Sequence, residues 1–283
     1  MSQKRVLVTG GTGFTGKYIL RELQSHGYSC IDKTVDLKSS VLVHNLIREV
    51  RPNFVIHLAA QSFVAHANIN EIYETNLLGT VNLLRALSSS ELDVSKIIVA
   101  SSANIYGNTQ GRITENCIPC PNNHYSISKY AMEMAVGQWI NDLPILICRP
   151  FNYTGVGQAN HFLVPKIVNH YKQKKTVIEL GNMDVYRDFS DVRDVARWYV
   201  KLLSCESKNK VVNLCSGKET SLRYIVEKLG ELSGYEIEGK ANPLYVRKKE
   251  ILRLCGDNTL LESMVGVNDS FCVDETLEWM LST

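Results

Sequence analysis

In HYSISKYAMEM (124–134) a tyrosine and a lysine, Tyr125 and Lys129, stand four residues apart within a helical pattern. That spacing puts a phenol and an ammonium one turn apart on the same helix face. A phenol titrates near ~10 in water, and a neighbouring cation favours its ionised form, so such a pair can serve as a tuned proton donor. Taken alone, the pair fits a half-exposed helix face equally well; chemistry needs a cofactor and a third polar group. The third group is in KIIVASSANIYG (96–107), where an apolar strand ends in serines and Ser102 offers a hydroxyl. Strand C-termini are where parallel α/β sheets place their chemistry.

A cofactor loop stands at the start of the chain. VLVTGGTGFTGKYILREL passes from a strand to a helix, with Gly10, Gly13 and Gly16 spaced G-x-x-G-x-x-G at the junction. Glycines there permit a tight turn and close approach of a pyrophosphate, and the helix N-terminus supplies N–H groups and positive dipole. Asp32 closes the second strand at the distance where an acid receives the adenosine ribose hydroxyls, which favours NADH. Lys33 follows and suits a 2′-phosphate instead, so NADPH or NADH both stay open. Asp36 in VDLKS suits the adenine edge or an ordinary loop cap.

The elements that must position these groups follow from hydrophobic patterning. Apolar, β-branched runs at 5–10, 28–32, 54–59, 96–102, 144–150 and 211–216 alternate with helical patterns at about 14–26, 41–50, 71–88, 124–141, 191–203 and 221–233. Near-continuous apolar strands between helices predict a doubly wound parallel α/β sheet of Rossmann type. We expect a dinucleotide-binding domain over 1–150, with elements near 185–216 returning to it, and a smaller substrate-binding lobe over 151–283.

Bulk properties exclude other classes. A formal net charge of +2 with 21% charged residues gives no basic stripe for a phosphate backbone, so no nucleic-acid partner is expected. The apolar runs are strand-sized and MSQKRVLVTG enters a strand at once, which predicts a cytoplasmic protein without a membrane span. The eight cysteines are scattered and read as reduced thiols. Cys117 and Cys120 have C-x-x-C spacing without a second ligand pair, so no metal is expected.

With G-x-x-G-x-x-G, S-x-x-x-Y-G, Y-x-x-x-K and RPFNYTGVGQ in order, the chain resembles the extended short-chain dehydrogenase/reductases that act on nucleotide sugars, in particular GDP-linked keto-sugar reductases. The resemblance implies Tyr125 as general acid, Lys129 as the group that holds the nicotinamide ribose and tunes the phenol, and Ser102 as the donor to the carbonyl oxygen. It implies cofactor contacts from Phe14, Thr15, Leu37, Leu58, Ala59 and Ala60, with Asn76 ordering the network or serving as a plain polar helix residue. For the substrate it implies Gln61, Ser62, Ala103, Asn104, Asn152, Arg187, Arg247 and Glu250. Arg187 could instead pair with Asp188 or Asp191, and Arg247 lies in a basic run, VRKK, that also suits a solvated face. His66 reads as a loop or substrate-positioning residue. Apolar residues on more than one face of 71–88 and 124–141 fit a homodimer, common in this family, or simple packing on the sheet.

Three functions remain: a keto-sugar reductase, an epimerase or 4,6-dehydratase of the same fold, and a non-catalytic dinucleotide sensor. The Ser102, Tyr125 and Lys129 set disfavours the sensor. Dehydratases of the family carry an Asp-Glu pair just after the serine or threonine, where this chain has Ala103 and Asn104. Neither side chain can do acid-base work near neutrality, so dehydration is expected to be negligible. The expectation is net reduction, with C4 epimerisation, which needs only the triad, still open.

Overall fold

The computed structural model describes residues 3–61, 68–206, 210–242, 252–266 and 270–283. The chain divides into two compact units. The first comprises 1–107, 118–150 and 196–212, and the second 108–117, 151–195 and 213–283.

A six-stranded sheet organises the first unit. Its strands are β1 (Arg5–Thr9), β2 (Ser29–Ile31), β3 (Phe54–His57), β4 (Lys96–Ala100), β5 (Ile145–Pro150) and β6 (Val211–Leu214), in the order β6-β5-β4-β3-β1-β2. All pairings from β2 through β5 are parallel. Register aligns Thr9 with His57 and His57 with Val99, so the C-terminal ends of β1, β3 and β4 share one edge. Because β2 lies on one side of β1 and β3 on the other, the strand order reverses at that edge, and a crevice for ligands opens there.

The strands are largely apolar because helices cover the sheet. Helix α1 spans Phe14–Ser25 and α2 spans Ser40–Val50. In α2 the Ser39 side chain accepts from the Leu42 N–H, and Val43, Leu46, Ile47 and Val50 form the buried stripe. That spacing is the amphipathic period. The expected helix over 71–88 is three pieces: α3 (Ile69–Tyr73), a π-helical turn (Glu74–Leu78) and α4 (Gly79–Ser88). Helix α5 (His124–Val136) starts on a capping box between Asn123 and Ser126. Its buried stripe departs from the usual composition: beside Met132 and Val136 it carries Ser128, Lys129 and Glu133. Of the apolar residues on these helices, Leu83, Leu84, Met132 and Val136 are in the core, whereas Leu78 and Met134 are exposed.

Helices Leu163–Lys172, Leu222–Ser233 and Val273–Ser282 pack together in the second unit around Ile167, Ile178, Leu180, Ile225, Leu229 and Leu277. Strand Tyr186–Asp191 lies between Glu219–Ser221, antiparallel, and Arg253–Gly256, parallel. Asp188 on that strand is fully buried and accepts hydrogen bonds from the Ser216 N–H and hydroxyl (2.8 and 2.7 Å) and the Gly217 N–H (2.9 Å). Asp191 accepts two bonds from the Arg193 guanidinium.

No helix among the described residues is long and apolar enough to cross a membrane. Among them, too, no group of three His, Cys, Asp or Glu is placed to hold a metal ion.

Candidate active site

Three glycines shape the turn after β1. Gly10 has φ of +78°, and a side chain there would meet the Ala59 backbone nitrogen at 2.8 Å. A Cβ at Gly16 would lie 2.3 Å from the Gly10 carbonyl oxygen, and one at Gly11 2.4 Å from an Asp32 carboxylate oxygen. The backbone is therefore bare where a pyrophosphate would approach, and Asp32 reaches over it from the end of β2. Phe14 and Thr15 open α1, whose N-terminus has neither a side-chain cap nor an acid in its first turn. That combination fits a dinucleotide: a cradle that side chains would fill, a positive helix end and a carboxylate for ribose hydroxyls.

The ammonium of Lys33 is engaged by Glu49. Asp36 accepts the Lys38 N–H at 3.0 Å and so caps the loop into α2, and Leu37 is buried against Gly79. Leu58 donates its N–H to the Thr9 carbonyl at 3.0 Å, which brings the segment Leu58–Ala60 alongside the glycine turn.

Asn76 sits in the π-helical turn, 1% exposed. Its amide accepts the Gln61 N–H (2.8 Å) and donates to the Gln61 carbonyl (3.2 Å) and to the Ser128 hydroxyl (3.0 Å). It thereby ties the loop after β3 to α5, one residue before Lys129. A π turn inserted into a helix is a frequent mark of a functional site.

Ser102 caps a short 3₁₀ turn, Ala103–Tyr106. Its oxygen accepts the Asn104 N–H (3.2 Å) and the Asn104 side-chain amide (3.3 Å), so its own O–H is left to donate. Ala103 is buried and Asn104 exposed. Tyr125, half-buried, lies in the first turn of α5. One turn on, Lys129 is 4% exposed and donates to the Ala100 carbonyl at the end of β4, 2.7 Å away. Burial lowers its pKa to about 8, against the opposing pull of Glu133.

Behind Lys129 lies His57, a histidine that sequence reasoning passed over. Thr80 gives its hydroxyl hydrogen to the Asn76 carbonyl (2.8 Å), so its oxygen must accept from His57 Nε2–H (2.9 Å). Nδ1 therefore accepts from the Thr9 hydroxyl (2.6 Å), which fixes the neutral tautomer. Burial first, and Lys129 second, push the imidazole pKa down to about 3. An unfolded histidine binds its proton near ~6.5, so stability from this group is complete above that pH and is lost as pH falls toward 3, by roughly 5 kcal/mol in all. His57→Gln can keep both hydrogen bonds without the proton. We expect it to flatten the acid side of the stability curve by up to about 1.4 kcal/mol per pH unit. Urea unfolding of both proteins between pH 6.5 and 4 measures this; parallel curves would refute it.

Asn152 and Arg187 belong to the second unit. Asn152 is exposed on strand Asn152–Thr154, and Arg187 donates to the carbonyls of Tyr186 (2.8 Å) and Leu252 (3.3 Å). Ser62, His66, Arg247 and Glu250 lie outside the described residues. Sequence reasoning also missed Glu133, Arg149 and Tyr106, buried around α5. Two signals were present: Glu133 extends the Tyr125–Lys129 series by another four residues, and Arg149 is a lone charge ending the apolar run PILICRP.

A model of the NAD dependent epimerase/dehydratase family matches residues 6–215, from β1 past the end of β6. The chain belongs to this family. Within it, this member is 38% identical over 270 residues to GDP-6-deoxy-D-talose 4-dehydrogenase of Aggregatibacter actinomycetemcomitans, covering 93% of this chain and 91% of that one. It is 32% identical to GDP-6-deoxy-D-mannose reductase of Pseudomonas aeruginosa, covering 99% and 96%. The solved structure of RMD from Pseudomonas aeruginosa complexed with NADPH superposes with a TM-score of 0.91 at 32% identity, covering 99% and 98%. The fold is the Rossmann-type sheet of this family, and the chain is an NAD(P)-dependent enzyme of it.

Proposed function

We propose that this chain is a 4-reductase of a GDP-linked 4-keto-6-deoxy sugar, hexose or heptose, serving deoxysugar and surface-polysaccharide synthesis in the cytoplasm. The observation that carries the reading is the set Ser102, Tyr125 and Lys129 gathered at the carboxyl edge of the sheet, with Ala103 and Asn104 where a dehydratase needs two acids. The GDP-sugar activities in the names of its relatives supply the substrate class.

A nicotinamide cofactor held by the glycine turn, Asp32 and Lys129 would supply the hydride for the carbonyl carbon. Tyr125 donates a proton to the carbonyl oxygen as charge develops there, and Ser102 directs its O–H to the same oxygen. Lys129 holds the ribose and keeps the phenol close to the acidity that the transfer needs. Asn152 and Arg187 bind the sugar nucleotide, for which a guanidinium is suited at a diphosphate.

Asp32 supports NADH as the preferred donor. A carboxylate accepts from two ribose hydroxyls and repels a 2′-phosphate, and Glu49 already engages Lys33, although such an exposed pair is weak. Leu78 and Met134, at 51% and 65% exposure, support a homodimer through the helices that carry them.

Purified protein given a GDP-linked 4-keto-6-deoxy sugar is expected to oxidise one nicotinamide per product, with NADH giving the higher kcat/KM. Light scattering of the same preparation should give the mass of two chains. Conversion of GDP-mannose or UDP-glucose without lasting loss of reduced cofactor would replace the reductase by an epimerase.

A further inference from the structure

The inward stripe of α5 carries opposite charges one turn apart, Lys129 and Glu133, at 4% and 7% exposure. Glu133 is held from β5. Arg149, 6% exposed, donates Nε to one carboxylate oxygen (3.0 Å) and Nη2 to the other (2.7 Å), and its Nη1 donates to the Tyr106 hydroxyl (2.8 Å). Tyr106 ends the 3₁₀ turn that Ser102 opens. Arg149 therefore joins the turn bearing Ser102 to the helix bearing Tyr125 and Lys129.

Stability alone is a poor explanation of this arrangement. Two buried charges lose their hydration, and an apolar pair of the same volume is often as stable or more so. What apolar residues cannot provide is a fixed negative charge next to a buried ammonium. Among the described residues, the groups shown to act with Lys129 are neutral His57 on β3, the Ala100 carbonyl on β4 and Glu133 on its own helix, with Tyr125 one turn before it and Arg149 and Tyr106 acting through Glu133. Of these, Glu133 is the carboxylate that opposes the effect of burial. Burial likewise works against the charge on Arg149, but the bonds to Glu133 more than offset it, and the guanidinium stays charged.

We propose that Glu133, Arg149 and Tyr106 form a positioning device for the active site, in which Glu133 supplies the counter-charge to Lys129 and Arg149, braced by Tyr106, fixes Glu133 and ties the Ser102 turn to α5. Tyr106 and Arg149 touch no reacting atom in this scheme. Their service is alignment, and that of Glu133 is to keep Lys129 protonated at neutral pH.

The proposal rests on Lys129 serving the reaction, and three variants separate the two ideas: Lys129→Met, Glu133→Gln and the double variant Glu133→Gln/Arg149→Met. The readouts are the pH profile of kcat and the pH dependence of the melting temperature. Lys129 titrates lower folded (about 8) than unfolded (10.5), so its contribution to stability rises with pH across that window. In Glu133→Gln we expect the alkaline limb of kcat, and the onset of that rise in stability, to move down by roughly one pH unit. The double variant also removes the Arg149 charge that the single one strands, so it decides the matter if the single variant does not fold; its shift is expected in the same direction and smaller. An alkaline limb and stability onset at the wild-type pH in a folded variant would overturn the proposal. Wild-type turnover in Lys129→Met would instead overturn the catalytic reading beneath it.

Discussion

Tyr125→Phe is expected to lower kcat by about 10²- to 10⁴-fold, the usual contribution of a positioned general acid, while cofactor affinity changes little. The substitution keeps the ring on its face of α5 and deletes one oxygen, so packing and the capping box of Asn123 and Ser126 are untouched. The hydroxyl and amide groups beside Tyr125 cannot take over the proton. Ser102 has a far weaker acid in its hydroxyl, and Ala103 and Asn104 have none. The loss should fall on kcat and kcat/KM alike, because the bond is made only as charge develops on the oxygen. Steady-state kinetics with a titration of NADH fluorescence measures both quantities, and wild-type turnover would remove Tyr125 from its role.

Lys129→Met should damage two functions at once. The rate is expected to fall at least about 10²-fold with the loss of the charge that tunes the phenol, and the dissociation constant of NADH to rise with the loss of the ribose contact. Stability should move the other way or hardly at all. Below pH 8 the native protein carries a buried ammonium that costs it roughly 3 kcal/mol relative to the unfolded chain. Methionine of similar length has no such cost, though it forfeits the 2.7 Å bond to the Ala100 carbonyl. An inactive variant that melts no lower than the wild type at pH 7 would show that chemistry, not folding, was lost. Retained NADH affinity would leave Lys129 with the phenol-tuning role alone.

Much of the fold could be read before any coordinates. All six runs marked as strands are strands of the central sheet, within a few residues at their ends, because buried parallel strands are apolar along most of their length. Less legible was the interruption of the helix over 71–88. Asn76 looks like an ordinary polar helix residue in the sequence, and only its three bonds to Gln61 and Ser128 show why a π turn is tolerated there. In the second unit, strands of three to six residues with polar members, such as Tyr186–Asp191, gave no periodic signal, since side-chain bonds to Asp188 take the place of an apolar face.

The sequence by itself determined most elements of the first unit, the glycine turn and the identity of the chemical groups, because these depend on short-range spacing: G-x-x-G-x-x-G at a strand–helix junction, and a tyrosine and lysine one turn apart. Tertiary structure decided which charges the reactive groups feel. That Lys129 is buried, that His57 is a neutral acceptor from Thr9, and that Glu133 is held by Arg149 from a strand sixteen residues on are outcomes of packing between β1, β3, β5, α4 and α5. Local spacing fixes which side of a helix a residue takes, but burial and the partners across it set the free energy of its charge.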